Sequence, residues 1–338
     1  MKNTFEIGEE IITNDEKNNL TQNHKNKLKI VFMGTPDFAV PVLSALDEVF
    51  GVAAVVTVPD KPQGRGLKLA PSAVKQEALI RNIPILQPEN LKDEDFINEL
   101  KSINADIFCV VAFRILPEIV FNLPKLGSFN IHGSLLPKFR GAAPLNRAIM
   151  AGETETGLTS FLLNSKVDTG NILLKTKVAI TSQLIASELY ENLKPIAADL
   201  AIKTIELILN NDINPTQQDD SIATKAPKLF PNESYIDWNL DNKSIRCWVH
   251  GLAYHPGART NFDGKLLKIF RVKEIEKLDY NTDEFQIGEM IVEKSRVLVK
   301  CGNGILELIE LQLEGKKITN GRDFALGFQN NKKTKILG

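Results

Sequence analysis

The sequence predicts an α/β fold, a mostly parallel sheet wound with helices, followed by a small β-barrel. Three observations carry that reading. Leu28–Met33, Val52–Val58 and Ile107–Ala112 are short, almost wholly apolar runs, the pattern of strands buried on both faces, and helical segments separate them at the spacing of βαβ units. Leu184–Asn210, with apolar residues at 189, 193, 196, 197, 200 and 205, reads as one long amphipathic helix that closes this first part. From Tyr235 the pattern changes to short β runs broken by Gly and Asn, the spacing of a barrel. The 338 residues match a length of about two domains.

Taken in order, residues 1–27 are polar and without apolar period, which predicts a disordered extension. Its acidic residues, lack of Arg and lack of an apolar core argue against a transit or secretory peptide. After the first strand, Thr35 as N-cap and Pro36 at the first helical position predict a helix to about Asp47. A single glycine, Gly34, stands at that turn, so the dinucleotide fingerprint G-x-G-x-x-G is missing and no nicotinamide cofactor is expected.

The second strand runs into P-D-K-P-Q-G-R-G-L-K-L-A-P-S, Pro59–Ser72, which is long for a plain βα loop. Its Lys61, Arg65 and Lys68 suit phosphate contacts; a solvated flexible loop is the alternative. Ser72 caps a helix to about Asn82, Ile83–Leu86 is a short strand, and Asp93–Ile103 is helical by period. Ile107–Ala112 is the most apolar strand and belongs at the sheet centre. Pro117 opens a short helix to about Asn122. Further on come a helix at Ala143–Ala151 and a strand pair, Thr156–Leu163 and Asn171–Val178, flanking the loop Asn164–Gly170 with its V-D-T-G.

Residues 211–231 are polar and aperiodic, as in a linker. Beyond them lie a helix at Ser244–Leu252 and strands at Lys265–Val272, Gly288–Ile291, Val297–Lys300 and Ile305–Gln312. A barrel of this size is OB-like. Such barrels bind nucleic acid or serve only as packing modules.

Apolar content of 43% and charged content of 25% are ordinary for a globular chain. Residues 221–338 hold 19 Lys and Arg against 15 Asp and Glu, so a mildly basic C-terminal part follows an acidic remainder. This fits a polyanion-facing barrel or two ordinarily charged domains. The three cysteines are odd in number and far apart, which gives no disulfide framework. Cys247, His250 and His255 lack a fourth ligand and any usual zinc spacing, so no metal is expected. No apolar run approaches the roughly 18 residues of a membrane span, and the chain reads as cytoplasmic.

The chemistry concentrates in Ser128–Gly141, S-F-N-I-H-G-S-L-L-P-K-F-R-G. Side chains two apart on a strand share a face, so Asn130 and His132 point the same way at a strand end, where α/β proteins place their sites. An imidazole able to hold a proton beside an amide able to donate to an oxyanion fits acyl transfer. A turn cap beside a satisfied histidine is the plainer reading of the pair alone.

The surrounding blocks tip the balance. F-N-I-H-G-S-L-L-P-K-F-R-G-A-A-P, with V-F-M-G-T-P-D-F-A-V-P, P-D-K-P-Q-G-R-G-L-K, V-V-A-F-R-I-L-P, G-E-T-E-T-G, V-D-T-G-N-I-L and the late L-Q-L-E-G-K-K, resembles the methionyl-tRNA formyltransferase family of 10-formyltetrahydrofolate-dependent enzymes over residues 28–330. The resemblance implies a Rossmann-like formyltransferase domain at 28–210, a linker at 211–231, an OB-like tRNA-docking barrel at 232–330 and a tail at 331–338. It implies formyl transfer from 10-formyltetrahydrofolate to the α-amine of methionyl-initiator tRNA, without a metal, by a monomer.

Carried onto this chain, Asn130, His132 and Asp168 form the catalytic set. Ser134, Leu135, Leu136 and Pro137 line the folate site, with Phe113, Arg114, Ile115 and Leu116 along the pterin. Lys61, Arg65 and Lys68 meet the acceptor stem. On the residues alone a turn aspartate before Thr-Gly is the favoured reading of Asp168. The chain departs from the family at Tyr254-His255, where proline and tryptophan are common, and in residues 1–27. The competing readings are formylation of a UDP-linked amino sugar, which shares F-N-I-H-G-S-L-L-P-K and G-E-T-E-T-G, and a silent folate- or tRNA-binding protein.

Overall fold

The computed structural model describes residues 28–63, 68–276, 284–293, 295–328 and 335–338; the extension 1–27 and Arg65 lie outside the described residues. Two compact units emerge, one from the residues up to Asn130 with Ala201–Ile213, the other from Ile131–Leu200 with Asn214–Gly338.

The first unit contains β1 (Ile30–Gly34), α1 (Val40–Val49), β2 (Val52–Val56), β3 (Lys61–Gln63), β4 (Lys68–Ala70), α2 (Ala73–Ile80), β5 (Ile85–Leu86), α3 (Glu94–Ile103), β6 (Ile107–Val111), α4 (Glu118–Phe121) and the opening residues of β7 (Ser128–His132). Its sheet runs β5-β2-β1-β6-β7, and the registered pairs β1–β2, β1–β6 and β2–β5 are parallel. Every residue of β6 is buried between β1 and β7, as its apolar run predicts.

Ser72 caps α2 by accepting from the Lys75 amide at 3.0 Å, and Asp93 caps α3 through the Phe96 amide at 3.0 Å. Thr35 does not cap a helix. Asp37–Ala39 forms a 3-10 turn entered from Pro36, and α1 begins only at Val40. Pro41 has no amide to return to the Asp37 carbonyl, so the i→i−4 ladder starts late. The 59–72 stretch is not a plain loop either: β3 and β4 pair antiparallel, Lys61 opposite Ala70 and Gln63 opposite Lys68.

The second unit takes up the close of β7 and continues with α5 (Pro144–Met150), β8 (Glu155–Leu162), β9 (Ile172–Ala179) and the part of α6 (Ala186–Leu209) up to Leu200. β8 lies beside β7, and β9 pairs antiparallel with β8. Then come α7 (Asn242–Leu252), β10 (Ala258–Phe262), β11 (Lys265–Ile275), β12 (Glu289–Glu293), β13 (Arg296–Lys300), β14 (Ile305–Leu313), β15 (Thr319–Asn320), α8 (Gly321–Phe328) and β16 (Lys335–Ile336). These strands form an antiparallel sheet, β10-β11-β14-β13-β12-β16 with β15 on β14, curled as a half-barrel.

Trp238, Val249, Leu267, Ile269, Val299 and Leu306 fill the half-barrel core, and the Trp238 indole N–H donates to Thr260 Oγ1 at 3.0 Å. β10 was not legible in A-R-T-N-F, whose interior is polar. Tyr254, at the family departure, lies tilted over the Phe270 ring with centroids 4.9 Å apart and donates to Glu310 at 2.9 Å. Among the described residues no helix is long and apolar enough to cross a membrane.

The stretch 211–231, aperiodic in sequence, is bonded along its length. Thr216 exchanges both main-chain hydrogen bonds with Ile172, and Thr224 and Ala226 bracket Arg140.

Candidate active site

β7 ends at His132, and the chain turns at once. Within that turn the Ser134 hydroxyl donates to the Lys138 carbonyl at 2.6 Å. Thr159 on β8 reaches in, donating to the Ser134 carbonyl at 2.6 Å and accepting from the Leu136 amide at 3.1 Å. The Leu136–Pro137 peptide is cis. The chain then crosses residues 224–226: the Phe139 amide donates to Thr224 Oγ1 at 2.8 Å and the Arg140 amide to the Thr224 carbonyl at 2.9 Å.

This folding aims the Phe139 carbonyl at His132, whose Nε2 lies 2.8 Å away, and the ring is buried. A carbonyl oxygen only accepts, so Nε2 carries the proton and the neutral ring presents its lone pair at Nδ1. Nδ1 stands 3.8 Å from Asp168 Oδ2, and that same oxygen accepts the Gly141 amide at 2.8 Å. Gly141 has φ +129°, and a Cβ there would lie 2.5 Å from the Ala226 carbonyl oxygen, so only glycine brings an amide this close. Asp168 itself has φ +55°. Phe161 meets the imidazole edge-on, with centroids 6.5 Å apart.

Asn130 occupies the position two before His132 on β7 and is half-buried. By strand period the two side chains share a face. Of the four residues expected along the folate, Ser134, Leu136 and Pro137 are buried and Leu135 is half-buried. The Ser134 hydroxyl and the Leu136 amide are consumed inside the turn, so these two offer shape rather than free hydrogen-bonding groups.

In the first unit, Phe113–Leu116 follow β6 through Ala112, which has φ +47°. The Arg114 guanidinium lies 5.3 Å from the Phe113 ring centre and donates to the carbonyls of Pro88 at 2.7 Å and Glu89 at 2.9 Å. Leu116 is buried, whereas Ile115 is 75% exposed. A cavity of about 470 Å³ nearby in sequence is lined by Gln87, Pro88, Asn90 and Phe96 among others. Lys61 on β3 is exposed; of Lys68 only the main chain, in β4, is described.

Burial pushes the thiols of all three cysteines up, Cys301 to about 12, which removes them as nucleophiles at neutral pH. Among the described residues no group of three His, Cys, Asp or Glu is placed to hold a metal ion. Sequence reasoning missed Thr159, Thr224 and Gln218. The first lies in a strand read only as one of a pair flanking the 164–170 loop, the others in a stretch read as a linker.

Residues 28–205 match the formyl transferase family and residues 228–329 match the formyl transferase C-terminal domain. The chain is 40% identical over 316 residues to the methionyl-tRNA formyltransferase of Bacteroides thetaiotaomicron, covering 90% of this chain and 97% of that protein. It is 46% identical over 292 residues to that of Clostridium perfringens, covering 86% and 94%. Among solved structures, the N-formyltransferase from Helicobacter canadensis in complex with folinic acid and dTDP-3-aminofucose shares the fold with a TM-score of 0.62 at 19% identity, over 83% of this chain and 98% of that one.

Proposed function

The chain belongs to the methionyl-tRNA formyltransferase family of the formyl transferases, and from that premise we propose how its own residues carry the reaction. The enzyme transfers the formyl group of 10-formyltetrahydrofolate to the α-amine of methionyl-tRNA. The initiator species is the proposed substrate, and the proposed working form is a cytoplasmic monomer. Its catalytic domain spans 28–210, joined by 211–231 to a tRNA-docking domain at 232–330.

The attacking α-amine must be neutral, and free α-amines titrate near ~7.7–8.0, so a weak base suffices. Attack on the formyl carbon forms a C–N bond and drives charge onto the formyl oxygen. The Asn130 amide donates to that oxyanion. The amine proton passes to His132 at Nδ1, the ring nitrogen left free by the Phe139 carbonyl. Asp168 faces that nitrogen and stabilises the imidazolium. Collapse breaks the bond from the formyl carbon to N10, and N10 takes the proton back from His132. For the folate, Ile115 offers an exposed apolar side chain next to Phe113, Arg114 and Leu116, and the half-buried Leu135 offers apolar surface next to Ser134, Leu136 and Pro137. Lys61, Arg65 and Lys68 meet tRNA phosphates.

The observation that carries this reading is the committed Nε2 of His132, which leaves Nδ1 toward Asp168. The test is turnover with 10-formyltetrahydrofolate and methionyl-tRNA, followed as loss of the free α-amine. Asn130→Ala and His132→Ala should each lower turnover by ~10²–10³, the size of a lost oxyanion donor, while folate binding survives. Near-normal turnover in either variant overturns the assignment. Transfer to a nucleotide-linked amino sugar but not to tRNA would move the substrate to the other class.

A further inference from the structure

We propose that Gln218 is a positioning residue for the transfer: it locks the Asp168 turn to the Phe139–Gly141 stretch and so sets where the Asp168 carboxylate stands relative to Nδ1 of His132. The inference rests on the role proposed above for Asp168.

Gln218 is 7% exposed and lies in the stretch after α6, 50 residues from Asp168 in sequence. Both hydrogens of its amide are used, one on the Asp168 carbonyl at 2.9 Å and one on the Gly170 carbonyl at 2.8 Å. Its oxygen accepts from Arg140 twice, from Nε at 3.1 Å and from Nη2 at 2.7 Å. The orientation of the amide is chemically forced. Turned over, it would set its oxygen against two carbonyls and its NH₂ against a guanidinium.

The geometry explains why such a clamp is needed. Asp168 holds φ +55°, a left-handed conformation uncommon outside glycine though tolerated by aspartate, so contacts that hold the turn fix where its carboxylate stands. The turn has no slack on its other side, because a Cβ at Gly170 would lie 1.6 Å from the Leu162 carbonyl oxygen. Arg140, held by the Gln218 oxygen, sits between the two residues that define the site: Phe139, whose carbonyl fixes His132 Nε2, and Gly141, whose amide fixes Asp168 Oδ2. One side chain thus joins the loop that orients the base to the loop that carries its partner. The two-way bond of Thr216 with Ile172 brings Gln218 alongside Gly170. Asp220, paired with Arg140 Nη2 at 2.7 Å, backs the clamp from outside.

The test is Gln218→Met, which keeps length and volume but removes every hydrogen bond, measured alone and combined with Asp168→Asn. Gln218→Met should lower kcat about 10- to 100-fold, the scale of a misplacement of about 1 Å in a catalytic array, with the KM for 10-formyltetrahydrofolate within about twofold. In the Asp168→Asn background the same change should cost less than about threefold, because a residue acting through Asp168 has nothing left to position. A thermal melt of each variant confirms that it folds. If Gln218→Met does not fold, Gln218→Glu takes its place: it keeps the length and the Arg140 contacts but offers no donor to the two carbonyls, and the same pattern is expected.

An unchanged kcat, or a loss carried in full into the Asp168→Asn background, overturns the proposal. Wild-type turnover in Asp168→Asn itself overturns the reading beneath it as well, so the two failures are told apart.

Discussion

Thr159→Val isolates the scaffold of the site from its chemistry. The substitution exchanges a hydroxyl for a methyl of nearly the same size on a side chain that is wholly buried. It leaves the Leu136 amide with no acceptor and takes one donor from the Ser134 carbonyl, and both residues are 0% exposed. An unpaired buried donor costs ~1–3 kcal/mol. The carbonyl, with two lone pairs, adds less. The new methyl returns ~0.8 kcal/mol through burial, which leaves a net loss of about 2 kcal/mol. Thr159→Ser is the control: it keeps both hydrogen bonds and gives up one buried methyl, a loss of about 1 kcal/mol. Urea denaturation followed by tryptophan fluorescence is the assay, since the two tryptophans, Trp238 and Trp248, lie in the same unit as Thr159. If the serine variant is less stable than the valine variant, packing rather than hydrogen bonding holds the 134–138 turn, and the reasoning fails.

Lys61→Ala and Lys68→Ala should each raise the KM for tRNA and reduce the slope of log affinity against log salt by about 1, without changing the KM for the folate. A salt slope equal to wild type in both removes the β3–β4 hairpin from the tRNA interface. His250 concerns stability. Burial first, then the nearby Arg246 and Arg271, holds its pKa down to about 4 from 6.5, against a hydrogen bond to the Val272 carbonyl and the charge of Glu188. The unfolded chain therefore takes up this proton first, so the stability His250 confers is present above pH ~6.5 and is lost as pH falls toward ~4, by at most about 3 kcal/mol. His250→Leu should flatten the dependence of Tm on pH across that window; an undiminished slope would place the acid sensitivity elsewhere.

How much of this was legible in the sequence depended on the range of the interaction. The buried strands were readable because an unbroken apolar run such as Ile107–Val111 fits only the interior of a sheet. Ser72 was readable as a cap because its partner, the Lys75 amide, is three residues away. Thr35 misled because the decisive residue was Pro41, whose missing amide delays the helix. Asn130 and His132 stood out as neighbours on one strand face. The contacts around them did not: the Phe139 carbonyl reaches His132 only through a turn held by Thr159 from another strand, and Gln218 meets Asp168 from 50 residues away. No periodicity records such contacts. β16 escaped for a similar reason, being two residues long with its pairing partners, Glu289 and Met290, far up the chain.

The bonded stretch that contains Thr216, Gln218, Thr224 and Ala226 bears on how this protein can be recombined with its relatives. A chimera joined just after α6 would import the neighbours of Arg140 and Asp168 from the donor of the barrel and would inherit a mismatched site. A junction placed after Ala226, before the 3-10 turn at Pro231–Glu233, keeps those contacts within one parent. Barrel exchange aimed at the proposed tRNA preference is therefore a matter of cutting at the far end of the connector, past its bonds to Phe139, Arg140 and the Asp168 turn.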